Sequence, residues 1–545
     1  MNGPILWTTQ AGRFAAATGS FVLAALWAQL AAAALPATPV TRRVETFSNL
    51  GIDLHDRAEA GFDLHGLLRS RFELLGNLDL DHGLTPSGQP LYPVPLSDPS
   101  AQVLTHADMR LRLDLSAFAP RGVVAVRGRV DVLDNVRLGS APDGPPTAAR
   151  GQLPDPAPLR VRRLWGEALL PFGVLAAGRM GSHWGLGLLT HGGDCHDCDS
   201  GDAADRVALA VPALGGIFGA AWDFAAVGPG RSRPSGIGSI DVDPRDDVRT
   251  LTFAYMRPLS PSVRARRHAA GRTTFETGLW LSRRWQEVDV PASWVVGASG
   301  ETLDPGQVVA RGFAANAADL WFRLERRGVR VEFEGAVLSG GYDETTLMPG
   351  TTLATPVRSL QWVAALESRF GAELEGFSFG LDAGAASGDP APGFGVRQPI
   401  AGTLPRAGDL DGPQADPPRD ARLDNFRLHP DARIDRILFR EIVRTVTDAA
   451  WARPHLRWAG HVLGDTRMVA DLAMVASFAM EPNSTPSGAR ALGVEIDPTI
   501  SLDLRGLLLE WQWAVLLPGA AFDNAFTGAR AQPAWMSRLF LGFAF

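Results

Sequence analysis

Leu320-Trp321-Phe322-Arg323-Leu324-Glu325-Arg326-Arg327-Gly328-Val329-Arg330-Val331-Glu332-Phe333-Glu334 is the stretch that decides how this chain folds. Leu320, Phe322 and Leu324 alternate with Asp319, Trp321, Arg323 and Glu325. The chain turns at Arg326-Arg327-Gly328, and Val329, Val331, Phe333 and Val337 then alternate with Arg330, Glu332 and Glu334. Neighbouring side chains of a strand point to opposite faces, so a period of two describes a hairpin with one apolar and one charged face. Strands of soluble sandwiches alternate too, but they average about 5–6 residues. The runs here are longer and reach the ~9–11 residues with which a tilted strand crosses a bilayer.

The same pattern recurs along the chain. Met109, Leu111, Leu113 and Leu115 oppose Asp108, Arg110, Arg112 and Asp114; beyond the turn 119–122, Val124, Val126, Val130 and Val132 oppose Arg127, Arg129 and Asp131. Short turns near 119–122, 170–173 and 326–328 contrast with long Gly/Pro/Asp-rich loops such as 76–106, 182–204 and 386–430, the asymmetry of outer-membrane barrels. Candidate strands run from 61–75 to 535–545 and number about 18, within 16–20. An even number puts both termini on the periplasmic side. The expected fold is all-β, a closed antiparallel transmembrane barrel over 61–545. Leu539, Leu541, Phe543 and Phe545 alternate up to the last residue, and a terminal aromatic strand resembles the assembly signal read by the barrel-assembly machinery. Ile434, Ile437, Leu438 and Ile442 instead repeat at three and four residues, predicting a short helix near 432–444 that either docks in the lumen or caps the loop outside.

The 545 residues are 46% hydrophobic and include 15 Trp and 26 Phe, too much apolar surface for a disordered chain. Long apolar runs are missing beyond the N-terminus, which excludes a polytopic helical membrane protein. A net charge of −7 gives no basic footprint for nucleic acid, and all 52 basic residues are Arg. Arg13, the apolar stretch Phe14 to Leu35 and the small residues Ala31 to Ala34 have the order of a signal peptide over 1–35. Residues 36–60 then form a periplasmic N-terminal segment.

Several stretches carry a family resemblance: Asn77-Leu78-Asp79-Leu80 with Thr85-Pro86-Ser87-Gly88, Asp131-Val132-Leu133-Asp134-Asn135, Gly178-Arg179-Met180 leading into Ser182-His183-Trp184-Gly185-Leu186-Gly187, Gly193-Asp194-Cys195-His196-Asp197-Cys198-Asp199, and Leu438-Phe439-Arg440-Glu441-Ile442. The chain resembles a family of uncharacterised outer-membrane proteins known mainly from myxobacteria and their relatives. More broadly it is similar to porin-like and alginate-export-like barrels. That resemblance implies a barrel in the bacterial outer membrane and says nothing about cargo.

The densest chemistry lies between His191 and Arg206, where Asp194, Asp197, Asp199, Asp202 and Asp205 surround Cys195, His196 and Cys198. Exported thiols are normally oxidised, which favours a Cys195–Cys198 disulfide; the alternatives are a divalent-cation site using the carboxylates, Asp194, His196 and Asp197 foremost, and no special role. Ser182-His183 and the loop histidines His191 and His196 are the only dense hydrolase candidates, but adjacent strand residues such as Ser182 and His183 face opposite ways. No nucleophile elbow, phosphate-binding loop or zinc-protease motif accompanies it, so neither catalysis nor a cofactor is expected. The polar faces supply the expected lumen lining: Asp108, Arg110, Arg112, Asp114, Arg127, Arg129, Asp131, Arg323, Glu325, Arg330, Glu332 and Glu334. Such ladders also hold a wet wall together as cross-strand pairs. Trp280, Trp285, Trp362, Trp511 and Trp513 are expected in interface girdles. The functional expectation is a porin-like channel for passive diffusion of small polar or anionic solutes, with mild anion preference from the early Arg rows. The alternatives are a barrel with a plugged lumen and a barrel-embedded hydrolase.

Overall fold

The computed structural model describes residues 47–140, 159–290, 308–396 and 406–545, apart from positions 53, 55–58, 96, 99–100, 234, 242, 347, 349–351, 373–374 and 463. The expected signal peptide lies outside the described residues. In chain order the strands are β1 (Gly61–Gly76), β2 (Val103–Phe118), β3 (Val124–Arg137), β4 (Leu159–Leu170), β5 (Gly173–Gly181), β6 (Ala203–Ala213), β7 (Gly216–Ala226), β8 (Gly230–Ser232), β9 (Ser239–Asp241) and β10 (Val248–Arg257). They continue with β11 (Thr274–Gln286), β12 (Phe313–Arg326), β13 (Val329–Tyr342), β14 (Val357–Gly371), β15 (Gly376–Ala386), β16 (Ala449–His461), β17 (Arg467–Ala479), β18 (Ala491–Leu504), β19 (Leu507–Pro518) and β20 (Ala534–Ala544). β8 and β9 form a small separate hairpin; the other 18 make one antiparallel sheet. β1 pairs with both β2 and β20, so the sheet closes on itself without an edge.

Alternation sets the two faces as expected. Leu320 and Leu324 point outward and are exposed, whereas Asp319, Trp321 and Glu325 point inward and are buried. Phe62, Phe72, Leu279, Leu472 and Phe543 belong to the same exposed apolar exterior. Closure is sealed at the last residue: Gly66 and Phe545 exchange backbone hydrogen bonds of 2.9 and 3.0 Å. The Phe545 ring lies so close over Gly66 that a Cβ there would sit 2.2 Å from it.

Two expectations are corrected. Trp280 is not in a girdle; it faces the lumen and is 5% exposed, while Trp362 and Trp511 are on the outer surface. The helix near 432–444 is a single π-type turn, Leu438–Ile442, docked inside the barrel with Leu438, Phe439 and Ile442 buried. A nine-residue helix not foreseen, α1 (Pro261–Ala269), crosses the short-turn end between β10 and β11. Its cue was Ser260-Pro261: the Ser260 side chain accepts from Val263 N–H, and Pro at the first helical position lacks only an N–H that would go unpaired.

An 18-stranded barrel is too wide for its own side chains to fill. Inserted loops fill much of it. Leu78, Leu80 and Leu91 after β1, Leu186 and Leu188 after β5, and Phe394, Phe426, Phe439 and Val446 after β15 form an apolar core within the long-loop half.

Candidate functional site

The loop 182–202 turns back into the lumen because the wall grips its backbone. Glu334 on β13 accepts from the successive N–H groups of Leu186, Gly187 (2.9 Å) and Leu188 (3.2 Å). Gly185 makes that approach possible, with φ +54° and its α-carbon so near that a Cβ would lie 2.5 Å from Glu334 Oε2. Ser182 and His183 are buried in this loop, and His183 Nδ1 accepts from Gly192 N–H at 3.2 Å. Ser182 N–H in turn donates to Asp202 O at 3.0 Å, so both residues hold the loop's own backbone.

Further along, Cys195 and Cys198 are joined as a disulfide with Cα atoms 5.1 Å apart. Around it the acidic residues meet the arginines of the wall. Asp197 takes Arg440 (2.8 Å), Arg433 (3.0 Å), Arg71 (3.1 Å) and Arg538 (3.4 Å). Asp199 takes Arg69, Arg71 (2.8 Å), Arg433 (3.3 Å) and Arg110 (3.7 Å). Asp194 takes Arg129 and Arg163 (3.0 Å). Burial alone would push the carboxyl groups of Asp197 and Asp199 up, but the surrounding guanidinium groups hold both below the usual carboxylate range. Wall arginines also donate to loop carbonyls: Arg110 to Cys198 O and Arg112 to Gly193 O, both at 2.8 Å, and Arg69 to His196 O at 3.3 Å. At the tip, His196 faces Glu510 of β19 at 3.7 Å. Burial lowers the imidazole's proton affinity, but the Glu510 carboxylate outweighs this and raises it.

The expected lumen-lining residues therefore face inward, but the early Arg rows are not a free wall. Arg110 and Arg129 are 1% and 7% exposed and hold the inserted loop. Asp108 pairs with Arg71 (2.7 Å), Asp131 with Arg112 (2.8 Å), Asp114 with Arg129 (2.6 Å), and Arg127 with Glu167 (3.3 Å). On the opposite wall, Arg323 binds Glu276 (3.0 Å), Arg330 binds Glu332, and Glu325 lies 3.5 Å from Arg264 of α1. Arg69, Arg71, Glu73 and Arg538 were missed, although the alternation test applied to β1 and β20 puts them on the inward face. Asp194, His196 and Asp197, the ligands of the alternative cation reading, each face the arginine or carboxylate partners given above.

A second segment, 431–446, is held in the same manner: Glu495 on β18 accepts from Arg436, Ile437 and Leu438 N–H at 2.8, 2.8 and 2.9 Å. His191, His429 and Asp431 bring one potential ligand atom each within 4.8 Å of one another. His191 Nδ1 accepts from Gly193 N–H and His429 Nδ1 from Asp431 N–H, both at 3.0 Å. In neutral rings the hydrogen then sits on Nε2, which leaves no lone pair there for a metal. Asp431 already accepts from Ser200 N–H (2.9 Å) and Arg433 (3.1 Å).

Two polar cavities flank the clamped loop. One, about 650 Å³, lies at the long-loop end against Asp199–Asp202, His429, Asp134, Arg160 and Arg162. The other, about 370 Å³, lies against β13–β19 and is lined by Arg330, Arg369, Arg436, Arg453 and Arg457 together with Glu367, Asp382, Asp471, Asp497 and Glu510. From the short-turn end the N-terminal residues enter the lumen as well. Phe47, 1% exposed, packs with Met180, Trp184, Trp280 and Trp321, and Leu54 packs with Phe118 and Ala125. Gly51 N–H donates to Glu167 Oε2 at 3.1 Å. This part of the expected periplasmic segment is a lumen insert.

No family model matches the chain, and no curated protein is significantly similar to it. Solved structures similar to it include the outer membrane protein OpdK of Pseudomonas aeruginosa (11% identity, 89% of this chain and 99% of that one, TM-score 0.41). OccK9 (OpdG) of the same organism (13%, 89% and 98%, TM-score 0.43) and a BenF-like porin of Pseudomonas fluorescens Pf-5 (10%, 89% and 98%, TM-score 0.42) are two others. The first is named an outer membrane protein and the last a porin; the myxobacterial resemblance gains no support from them. The architecture of this chain rests on its own closed ladder of strand pairs.

Proposed function

We propose that this chain is an outer-membrane channel for small polar and anionic solutes, narrowed by two inserted loops and by residues 47–52 and Leu54. Its outward apolar face suits a bilayer, and its short turns face the periplasm. Phe543 and Phe545 serve as the signal for the barrel-assembly machinery. The observation that carries the reading is the charged cavity against β13–β19, whose five arginines and five carboxylates offer a wet path beside the clamped loop. Near balance of charge makes selectivity weak and salt-dependent, since screening falls from about 10 Å at 0.1 M salt to 3 Å at 1 M. The test is single-channel recording of refolded protein in a salt gradient. Arg453→Gln with Arg457→Gln should move the reversal potential toward cations, whereas Arg110→Gln with Arg112→Gln should alter conductance and noise. Shifts in the reverse order would reject this path.

The apolar core around Phe394, Phe426 and Phe439 favours a second reading, a plugged barrel. Absence of conductance even after deletion of 386–445 would establish it over the channel.

A further inference from the structure

The long loop between β7 and β10 gathers three carboxylates that the lumen does not use. Asp241 ends β9, Asp247 precedes β10 and Asp246 lies beside it; one oxygen from each falls within 4.8 Å of the others. Asp246 is 3% exposed, yet neither carboxylate oxygen has a hydrogen-bond partner. Asp247 is 8% exposed; its Oδ2 takes Arg249 at 2.8 Å while Oδ1 is unpartnered. Arg245, the nearest cation in sequence, turns to Asp243 at 3.1 Å.

The frame under these groups is fixed. Asp246 N–H donates to Asp243 O at 3.1 Å, and Glu287 and Val288 N–H both donate to Arg245 O, at 3.2 and 3.1 Å. Gln286 Nε2 holds Asp246 O at 2.9 Å. Gly228 packs against the Asp246 carboxylate, where a Cβ would lie 1.9 Å from Oδ2. Burial, then Asp241, Asp247 and Asp243, push the Asp246 carboxyl up to about 6.

Buried acceptors with no donor call for a proton or a cation. All-oxygen donors select a hard cation over a transition metal. Carboxylates on a turn and a hairpin end, without an imposed octahedron, suit calcium better than magnesium. We propose that Asp241, Asp246 and Asp247 form a calcium site that staples the base of the β8–β9 hairpin to the start of β10. The site lies on an exposed loop and does not depend on the transport reading.

The test uses the full chain refolded in detergent, stripped with a chelator and titrated with Ca²⁺, with Tb³⁺ luminescence as a second probe. Sites of this kind in extracellular modules bind at about 10⁻⁴–10⁻³ M. Ca²⁺ should protect the 227–247 loop from protease and bind more tightly than Mg²⁺, and Asp246→Asn should weaken binding at least tenfold, with Asp416→Asn as the unaffected control. Should Asp246→Asn fail to fold, Asp241→Asn at the exposed rim gives the same readout. Calcium affinity unchanged by these substitutions, no binding up to millimolar Ca²⁺, or loop protection that follows pH near 6 but ignores Ca²⁺, would overturn the proposal.

Discussion

Asp197→Asn removes one charge and almost no volume from a point where four arginines converge, at 2.8, 3.0, 3.1 and 3.4 Å. Arg71 retains Asp108 and Asp199, Arg433 retains Asp431, and Arg538 retains Glu73, but Arg440 loses its shortest ion pair. Removing one partner of a buried pair costs about 3–5 kcal/mol. At tenfold per ~1.4 kcal/mol, the balance between docked and released loop should fall by about a hundred- to a few-thousand-fold. Single-channel recording should then show larger and noisier openings, and amide exchange should quicken across 193–200. The sign with pH follows from the depressed acids. Their stabilisation is complete above the unfolded value of about 3.9 and is lost only as pH falls through their lower folded values. The wild-type clamp should therefore hold from pH 5 to 8 and loosen below about 4. Unchanged conductance and exchange in Asp197→Asn, or loosening of the wild type already by pH 6, would refute this reasoning.

Phe47→Ala should release the N-terminal insert, since Phe truncation in a packed site costs about 3–5 kcal/mol; a rise in unitary conductance with unchanged reversal potential checks it. His196 has its proton affinity raised, so its pairing with Glu510 is complete below about pH 6.5 and is lost as pH rises through the raised value. Exchange at the loop tip should therefore quicken on the alkaline side in the wild type and show no such step in His196→Gln. Mass spectrometry without reductant should find Cys195 and Cys198 oxidised together, and two free thiols would contradict that.

The wall was legible in the sequence because each strand carries its own evidence in a period of two, as Leu320 to Glu334 does. The filling was not. Arg71 and Asp197 lie 126 residues apart, and nothing local to either names the other. An arginine that lines water and one that clamps a loop look alike in alternation, so of the Arg rows expected to be free on β2 and β3, Arg110 pairs with Asp199 and Arg129 with Asp194, while Arg112 and Arg127 pair across the wall. Trp280 was misplaced for a related reason: an aromatic on a strand reads as an interface anchor until Phe47 and Trp184 are known to pack on it. The π-type turn defeated the period count because Ile442 and Val443 N–H reach back five residues, to Ile437 and Leu438, instead of four.

Irregular backbone placed inside a barrel has N–H and C=O groups without a ladder, and burying them unpaired is costly. The mixed charge of the wall answers both needs. Glu334 and Glu495 each take three consecutive N–H groups, while Arg110, Arg112 and Arg163 take the carbonyls of Cys198, Gly193 and Gly192. Acidic wall residues thus serve donors and basic ones serve acceptors, which explains why neither sign dominates a wall that must bind polypeptide. It also locates the passage. Where inserted backbone covers the wall, Arg110, Arg112 and Arg163 are taken up by it; Arg160 and Arg162 of β4 and, along β13 to β16, Arg330, Arg369, Arg453 and Arg457 line open volume instead. On the proposed channel reading those residues are the ones that would meet a solute, and selectivity would follow them.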